Sequence, residues 1–232
     1  MAGIDLHSFD ALTLDCYGTL IDWETGLLAV LRPILDDHGV EIADEDLLAL
    51  HARHETELEA GPHRAYAEVL AGSLARIGAG LGFEPSAAER DRFAGSVGEW
   101  PAFDDSREAL ARLSERYWLA VITNCDDELF AASARRLGVE FECVVTAEQA
   151  RAYKPSHAPF ELAFDRLGLP RDRILHVAQS CFHDHVPAGE LGLASVRVDR
   201  RGAKPGPGAT PAADAAPDLI VRGMRELAEL AA

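Results

Sequence analysis

The sequence predicts an α/β fold, a doubly wound parallel sheet with an all-helical segment inserted after its first strand. Two observations carry this. Short apolar runs at 11–14, 118–122, 174–178 and 194–198, with a shorter one at 143–145, alternate with stretches of helical periodicity. Strands alternating with helices at this spacing build parallel sheets with right-handed connections. Between residues 21 and 100 only helical periodicity is found, with no strand pattern.

Taken in order, Ala11 to Leu14 is an apolar strand ending on a carboxylate, Asp15, and Gly18 marks a sharp turn three residues later. Leu27, Leu28, Val30, Leu31, Ile34 and Leu35 recur at helical spacing; Pro33 inside this pattern is expected to kink or split the helix, and Gly39 to end it. Residues 44–59 form a second helix with Gly61-Pro62 as its stop. Arg64 to Ile77 form a third, with Tyr66, Val69, Leu70, Leu74 and Ile77 on one face and Gly78-Ala79-Gly80 as its breaker. Ser86 followed by Glu89 is a capping box for a fourth. After Trp100-Pro101 come a helix at 106–116, the strand Trp118 to Ile122, a helix closed by Gly138, and the strand Cys143 to Val145. A helix at 159–167 stopped by Gly168, the strand Ile174 to Ala178, a helix to Gly192 and the strand Ala194 to Val198 follow. Residues 200–217 read as a polar, Gly/Pro/Ala-rich surface loop, 218–221 as a last edge strand and 222–230 as a terminal helix.

Composition bounds the function. A chain of 232 residues with 48% hydrophobic and 26% charged residues can bury a large core. No apolar run is long enough to span a bilayer, and Met1 to Asp10 lacks a signal-peptide pattern, so the expected location is cytoplasmic. The formal net charge of −17 speaks against nucleic acid and anionic membrane surfaces as partners. Any anionic substrate must therefore be held by a few local cations. Cys16, Cys125, Cys143 and Cys181 form no CxxC pair or zinc-finger spacing and read as buried free thiols.

The chemistry is concentrated where strands end. A carboxylate at the C-terminal end of a parallel strand faces the crevice in which open α/β sheets place ligands, a sensible address for a nucleophilic aspartate. Thr19 can hydrogen-bond and position that carboxylate. Thr123 and Asn124 follow the strand that ends at Ile122; they can hold an anionic group or, with Asp126, cap the next helix. Lys154 is one of only two lysines in a chain that otherwise uses arginine, and an ammonium beside Asp15 would keep it ionised. In Ala178-Gln179-Ser180-Cys181-Phe182-His183-Asp184-His185 a single acid follows a strand, flanked by histidines.

In this order, Asp15-Cys16-Tyr17-Gly18-Thr19-Leu20, Thr123, Lys154-Pro155 and the stretch around Asp184 resemble the four motifs of the haloacid dehalogenase superfamily. The resemblance implies a Rossmann-like core of residues 1–20 and 101–232 and a helical cap of residues 21–100. Phosphatases of the superfamily usually carry a second aspartate where this chain has Tyr17, and two magnesium-binding acids where it has Gln179 and Ser180. The closest resemblance is therefore to the 2-haloacid dehalogenase branch. It implies Asp15 as nucleophile, Lys154, Asp184 and Thr19 as its catalytic partners, and a small carboxylate-bearing substrate bound by Tyr17, Thr123, Asn124, Ser180, Phe160 and a cap arginine. Arg53 is the first candidate for that arginine and Arg64 the second. No metal or other cofactor is expected on this reading. The alternatives are a Mg²⁺-dependent phosphatase, a hydrolase opening a strained ring, and a catalytically silent binding protein. A homodimer is compatible with the resemblance.

Overall fold

The computed structural model describes residues 4–204, 206 and 208–232. Six strands form one sheet: β1 (Ala11–Leu14), β2 (Trp118–Thr123), β3 (Cys143–Thr146), β4 (Ile174–Ala178), β5 (Ala194–Val198) and β6 (Leu219–Val221). Their order is β3-β2-β1-β4-β5-β6 and every pairing is parallel. The chain order reverses on either side of β1, so the crevice of this doubly wound sheet opens beside its C-terminal end.

Period-two alternation divides the core. Leu12 and Leu14 face one side with Leu119, Val121, Leu175 and Val177. Ala11 faces the other with Ala120, Ile122, Val145 and Ile174. Ten α-helices cover the described chain: α1 (Trp23–Asp37), α2 (Asp44–Glu59), α3 (Tyr66–Leu81), α4 (Ala87–Ala94), α5 (Ser106–Ser114), α6 (Asp127–Leu137), α7 (Ala147–Ala150), α8 (Ala158–Leu167), α9 (Val186–Glu190) and α10 (Met224–Leu230). Apolar residues of α5, α6 and α10 join the first side of the core and those of α8 and α9 the second. Among the described residues, α1–α4 and a short 3-10 turn are the only regular elements between β1 and α5, as the all-helical reading of this segment requires.

Three local expectations change. Helix α1 runs unbroken through Pro33, because Val30, Leu31, Ile34 and Leu35 on either side are buried against the core; packing offsets the single backbone bond that proline removes. Helix α3 continues past Gly78-Ala79-Gly80 to Leu81 and stops at Gly82, which is left-handed at φ 86°. Gly78 serves close approach instead: a Cβ there would stand 2.7 Å from the Phe83 carbonyl. The 200–217 loop is irregular but not merely surface. Ala209 and Thr210 are buried, and Arg201 ties the loop to Glu24 of α1 and to Glu45 of α2 (2.7 Å). Ser86 and Glu89 make the expected capping box at α4.

Candidate active site

Asp15 follows β1 directly. Its backbone N–H donates to the Val177 carbonyl (3.0 Å), extending the β1–β4 pairing by one residue. The chain then turns sharply: Thr19, Leu20 and Ile21 all donate to the Cys16 carbonyl, and Gly18 takes φ 89°. This turn brings the Thr19 hydroxyl back to Asp15 Oδ2 at 2.7 Å, while Thr19 Oγ1 accepts the Gln179 N–H at 2.9 Å.

Lys154 arrives from beyond β3. Its ammonium donates to Asp15 Oδ1 (2.7 Å), Asp184 Oδ1 (2.7 Å) and the Ile122 carbonyl (3.0 Å), and the side chain is almost wholly buried. Asp184 lies in a π-helical turn, Cys181–His185, that starts at the end of β4. His176 of β4 stands beside Thr13 of β1 in register. Its Nε2–H donates to Asp184 Oδ1 (3.0 Å), leaving Nδ1 to accept from the Thr13 hydroxyl (3.0 Å). A chain of contacts thus runs Thr13–His176–Asp184–Lys154–Asp15–Thr19.

Burial opposes the charge of Asp184, but Lys154 and His176 outweigh it and hold its carboxyl well below the usual carboxylate range. Burial also opposes the Lys154 ammonium; Asp15 and Asp184 reverse this and hold it well above its usual range. For Asp15, burial and the Asp184 charge push upward while Lys154 and Thr19 pull down, with a net rise. Both its oxygens accept short hydrogen bonds, from Thr19 and Lys154, and these favour the ionised form. Cysteine chemistry is not on offer here: burial drives Cys16 far up and Cys125 up to about 12.

A cavity of about 30 Å³ opens against Asp15, Lys154 and Asp184. Tyr17, Asn124 and Ser180 line it as expected from the sequence. Their polar groups are already engaged by other parts of the protein. The Tyr17 hydroxyl meets Ser133 Oγ (3.0 Å) and accepts from the Cys125 thiol, so only its ring is presented to the cavity. Asn124 is engaged with the Lys154 backbone, and Ser180 Oγ accepts the His183 N–H (2.9 Å).

Three expected residues stand apart. Arg53 is exposed and its guanidinium donates to His54 Nε2 (3.2 Å); two positions before Glu55, it points away from the helix face that meets the cavity. Phe160 is core: fully buried on α8, it packs edge-on against His176 (5.1 Å between centroids). Thr123 ends β2 with its hydroxyl buried and unpartnered among the described residues, and it is not among the side chains lining the cavity. Arg64, the second candidate, precedes α3 and also lies outside that lining. Asp126 sits at the start of α6, but its carboxylate accepts the Tyr66 N–H (2.8 Å) and Ala67 N–H (3.1 Å), capping α3 across space.

The structure adds residues that the sequence reading missed. Glu55 and Glu59 of α2 and Thr210 of the long loop line the cavity. His51, Glu55 and Glu59 recur at four-residue steps, a polar stripe where a core-facing helix would be apolar, and that was the available signal. A larger cavity of about 420 Å³ adjoins, sharing Glu59 and Lys154 with the first. Phe182 lines this second space.

The residues do not suit a magnesium ion. The Lys154 ammonium lies between the two carboxylates that would have to bind it, and Tyr17 and Gln179 bring no further charge. The three residues 183–185 diverge: His183 lines the cavity, Asp184 holds Lys154, and His185 turns back to Ser195 Oγ (3.0 Å) and the Ala178 carbonyl (2.9 Å). Among the described residues no helix is long and apolar enough to cross a membrane.

A family model described as haloacid dehalogenase-like hydrolase matches residues 9–178. (S)-2-haloacid dehalogenase 4A of Burkholderia cepacia is 28% identical over 210 residues, covering 86% of this chain and 87% of that protein. The L-2-haloacid dehalogenase of Xanthobacter autotrophicus superposes with a TM-score of 0.79 at 21% identity, covering 96% of this chain and 98% of that one. A magnesium-bound hydrolase of Bacillus subtilis superposes with a TM-score of 0.76 at 16% identity, covering 96% of this chain and 98% of that one. At such identities the two structural likenesses speak for the fold alone.

Proposed function

The chain belongs to the haloacid dehalogenase-like hydrolases, and from that premise we propose that it displaces a leaving group from a saturated carbon through an ester on Asp15. The observation that carries this reading is the Lys154 ammonium, 2.7 Å from both Asp15 Oδ1 and Asp184 Oδ1. It supplies a positive charge that favours the ionised form of the nucleophile against burial. Residues 1–20 and 101–232 act as the core and 21–100 as the cap that closes over it.

In the first step an Asp15 oxygen attacks the carbon; the new C–O bond forms as the bond to the leaving group breaks, and its electron pair departs with that group. A halide needs no proton to leave, which suits a site with Tyr17 at the position of the usual acid. In the second step water adds to the Asp15 carboxyl carbon. Asp184 Oδ2, buried without a partner among the described residues, takes a proton from that water. The ester then splits: Asp184 returns that proton to the departing alkoxide, the product leaves as an alcohol carrying an Asp15 oxygen, and the Asp15 carboxyl, now holding a water oxygen, releases its remaining proton to solvent. The Xanthobacter autotrophicus enzyme has been solved with chloropropionic acid covalently bound; the corresponding intermediate proposed here is an ester on Asp15. A 2-haloacid is the substrate in the name of the Burkholderia cepacia relative. The anchor expected for its carboxylate is incomplete, since Arg53, Thr123 and Phe160 do not line the cavity.

The test is chloride release from both 2-chloropropionate enantiomers and from chloroacetamide, and phosphate release from p-nitrophenyl phosphate, with Mg²⁺ and with EDTA in ¹⁸O-water. Chloride release in EDTA with ¹⁸O in the Asp15 peptide after several turnovers is expected. Phosphate release that requires Mg²⁺, without chloride release, would overturn the reading.

A further inference from the structure

We propose that His176 is a positioning residue for the second half of the reaction: by holding one oxygen of Asp184 it reserves the other for the water that hydrolyses the Asp15 ester. This rests on the reading above, in which Asp15 carries the ester. His176 belongs to none of the four sequence motifs and does not line the cavity.

Strand β4 is buried along its whole length, and its other four residues are apolar. An imidazole in the middle of such a strand is costly unless its ring nitrogens are paired, and both are. Asp184 is ionised and can only accept, so Nε2 carries the ring hydrogen and donates to Asp184 Oδ1 at 3.0 Å. Nδ1 accepts from the Thr13 hydroxyl at 3.0 Å, which fixes the tautomer. Thr13 is itself fully buried and stands opposite His176 in the β1–β4 register. The ring plane is held by the edge contact with Phe160 and by the His185 ring at 6.4 Å. His185 is pinned in turn to Ser195 Oγ and the Ala178 carbonyl. His176 is therefore a fixed donor rather than a proton carrier.

Two donors from different elements meet on the same Asp184 oxygen. Lys154 Nζ reaches Oδ1 at 2.7 Å from beyond β3, and His176 Nε2 reaches it at 3.0 Å from β4. Oδ2 is buried with no partner among the described residues. The carboxylate torsion is broad and roughly two-fold, so a single donor would let the two oxygens exchange. Two donors converging on Oδ1 set the plane and leave Oδ2 as the uncommitted acceptor of a group that lines the cavity beside Asp15. A buried oxygen without a partner is costly to keep, and hydrolysis gives it a use. Oδ2 takes one proton from the water as the water oxygen bonds to the Asp15 carboxyl carbon, and returns it to the departing alkoxide; His176 keeps its own proton throughout. The two donors differ in what else they touch. Lys154 holds Asp15 as well as Asp184, so its loss impairs both steps. His176 holds Asp184 and not Asp15, so its loss impairs hydrolysis of the ester while ester formation continues.

The experiment follows chloride release from the 2-chloropropionate enantiomers, and the mass of the Asp15 peptide after rapid quench, in wild type, His176→Phe and His176→Gln. Phenylalanine fills the core without an N–H, and glutamine restores a donor near the position of Nε2. For His176→Phe, kcat is expected to fall by roughly 10–100-fold. KM should fall with it, so that kcat/KM stays within about threefold of wild type. Asp15 should accumulate as the ester after a burst approaching one chloride per active site. His176→Gln is expected to recover most of kcat and to abolish the accumulation. Thr13→Val removes only the hydroxyl behind the ring; it should lie between, and it carries the test if the phenylalanine variant does not fold. Loss of kcat/KM in step with kcat, with no ester on Asp15, would mean damage to the whole site and overturn the proposal. Unchanged kinetics in His176→Phe and Thr13→Val would overturn it too. Wild type that releases no chloride, or leaves Asp15 unlabelled in ¹⁸O-water, would instead sink the nucleophile reading and this proposal with it.

Discussion

Asn124 holds Lys154 by its backbone: its Oδ1 accepts the Lys154 N–H at 2.7 Å and its Nδ2 donates to the Lys154 carbonyl at 3.1 Å. The side chain that follows β2 thereby fixes where the ammonium leaves the main chain. Asn124→Ala removes both bonds without touching Asp15. We expect kcat to fall by roughly 10–100-fold with KM little changed, because a small misplacement of a catalytic group is costly. Steady-state kinetics on whichever substrate turns over checks this; an unchanged kcat would show that the loop holds Lys154 unaided.

Lys154→Met leaves Asp15 and Asp184 buried without their shared cation. Removing one partner of a buried ion pair costs roughly 3–5 kcal/mol, and urea denaturation should show a loss of that order together with activity. Lys154→Arg should not restore activity, since a planar fork cannot reproduce three hydrogen bonds from one compact ammonium.

Gly26 packs under Trp100, where a Cβ would stand 2.3 Å from the indole ring. Gly26→Ala improves helix propensity yet should destabilise the protein by about 1–3 kcal/mol through overpacking. A rise in thermal stability would mean that Trp100 moves aside freely.

Burial lowers His185 from 6.5 to about 4, the hydrogen bond to the Ala178 carbonyl only partly opposing this. The unfolded chain takes up this proton near 6.5 and the folded protein only near 4. Between these values the unfolded state binds more protons, so stability is fully present above pH 6.5 and is lost as pH falls toward 4. At about 1.4 kcal/mol per pH unit, the window is worth on the order of 3 kcal/mol. Comparing wild type with His185→Gln by urea denaturation across it should show a shallower pH dependence in the variant; equal slopes would assign the acid sensitivity to other groups.

Much of the fold was legible because periodicity and turn residues are local properties. Short apolar runs alternating with helices located all six strands, and a carboxylate at the end of the first marked the crevice. Lys154 stood out by scarcity, in a chain with only two lysines. The misreadings share one cause, which is that contacts decide them. Pro33 and Gly78 are a helix breaker and a stop by local rules, but buried neighbours and a close carbonyl overrule those rules.

What the sequence determined by itself is therefore the order of elements, the parallel sheet and the choice of Asp15, Thr19, Lys154 and Asp184 as candidates, which the structure joins in one chain of hydrogen bonds, since each is marked by residue type and spacing along one segment. Tertiary structure alone decided which side chains share the cavity. It turned Arg53 outward and Glu55 inward, buried Phe160 behind His176, joined His176 to Asp184, and folded Thr210 of the long loop into the wall. Such pairings cross long stretches of chain, 163 residues between Thr13 and His176, and a helix face acquires its partner only when another element packs against it.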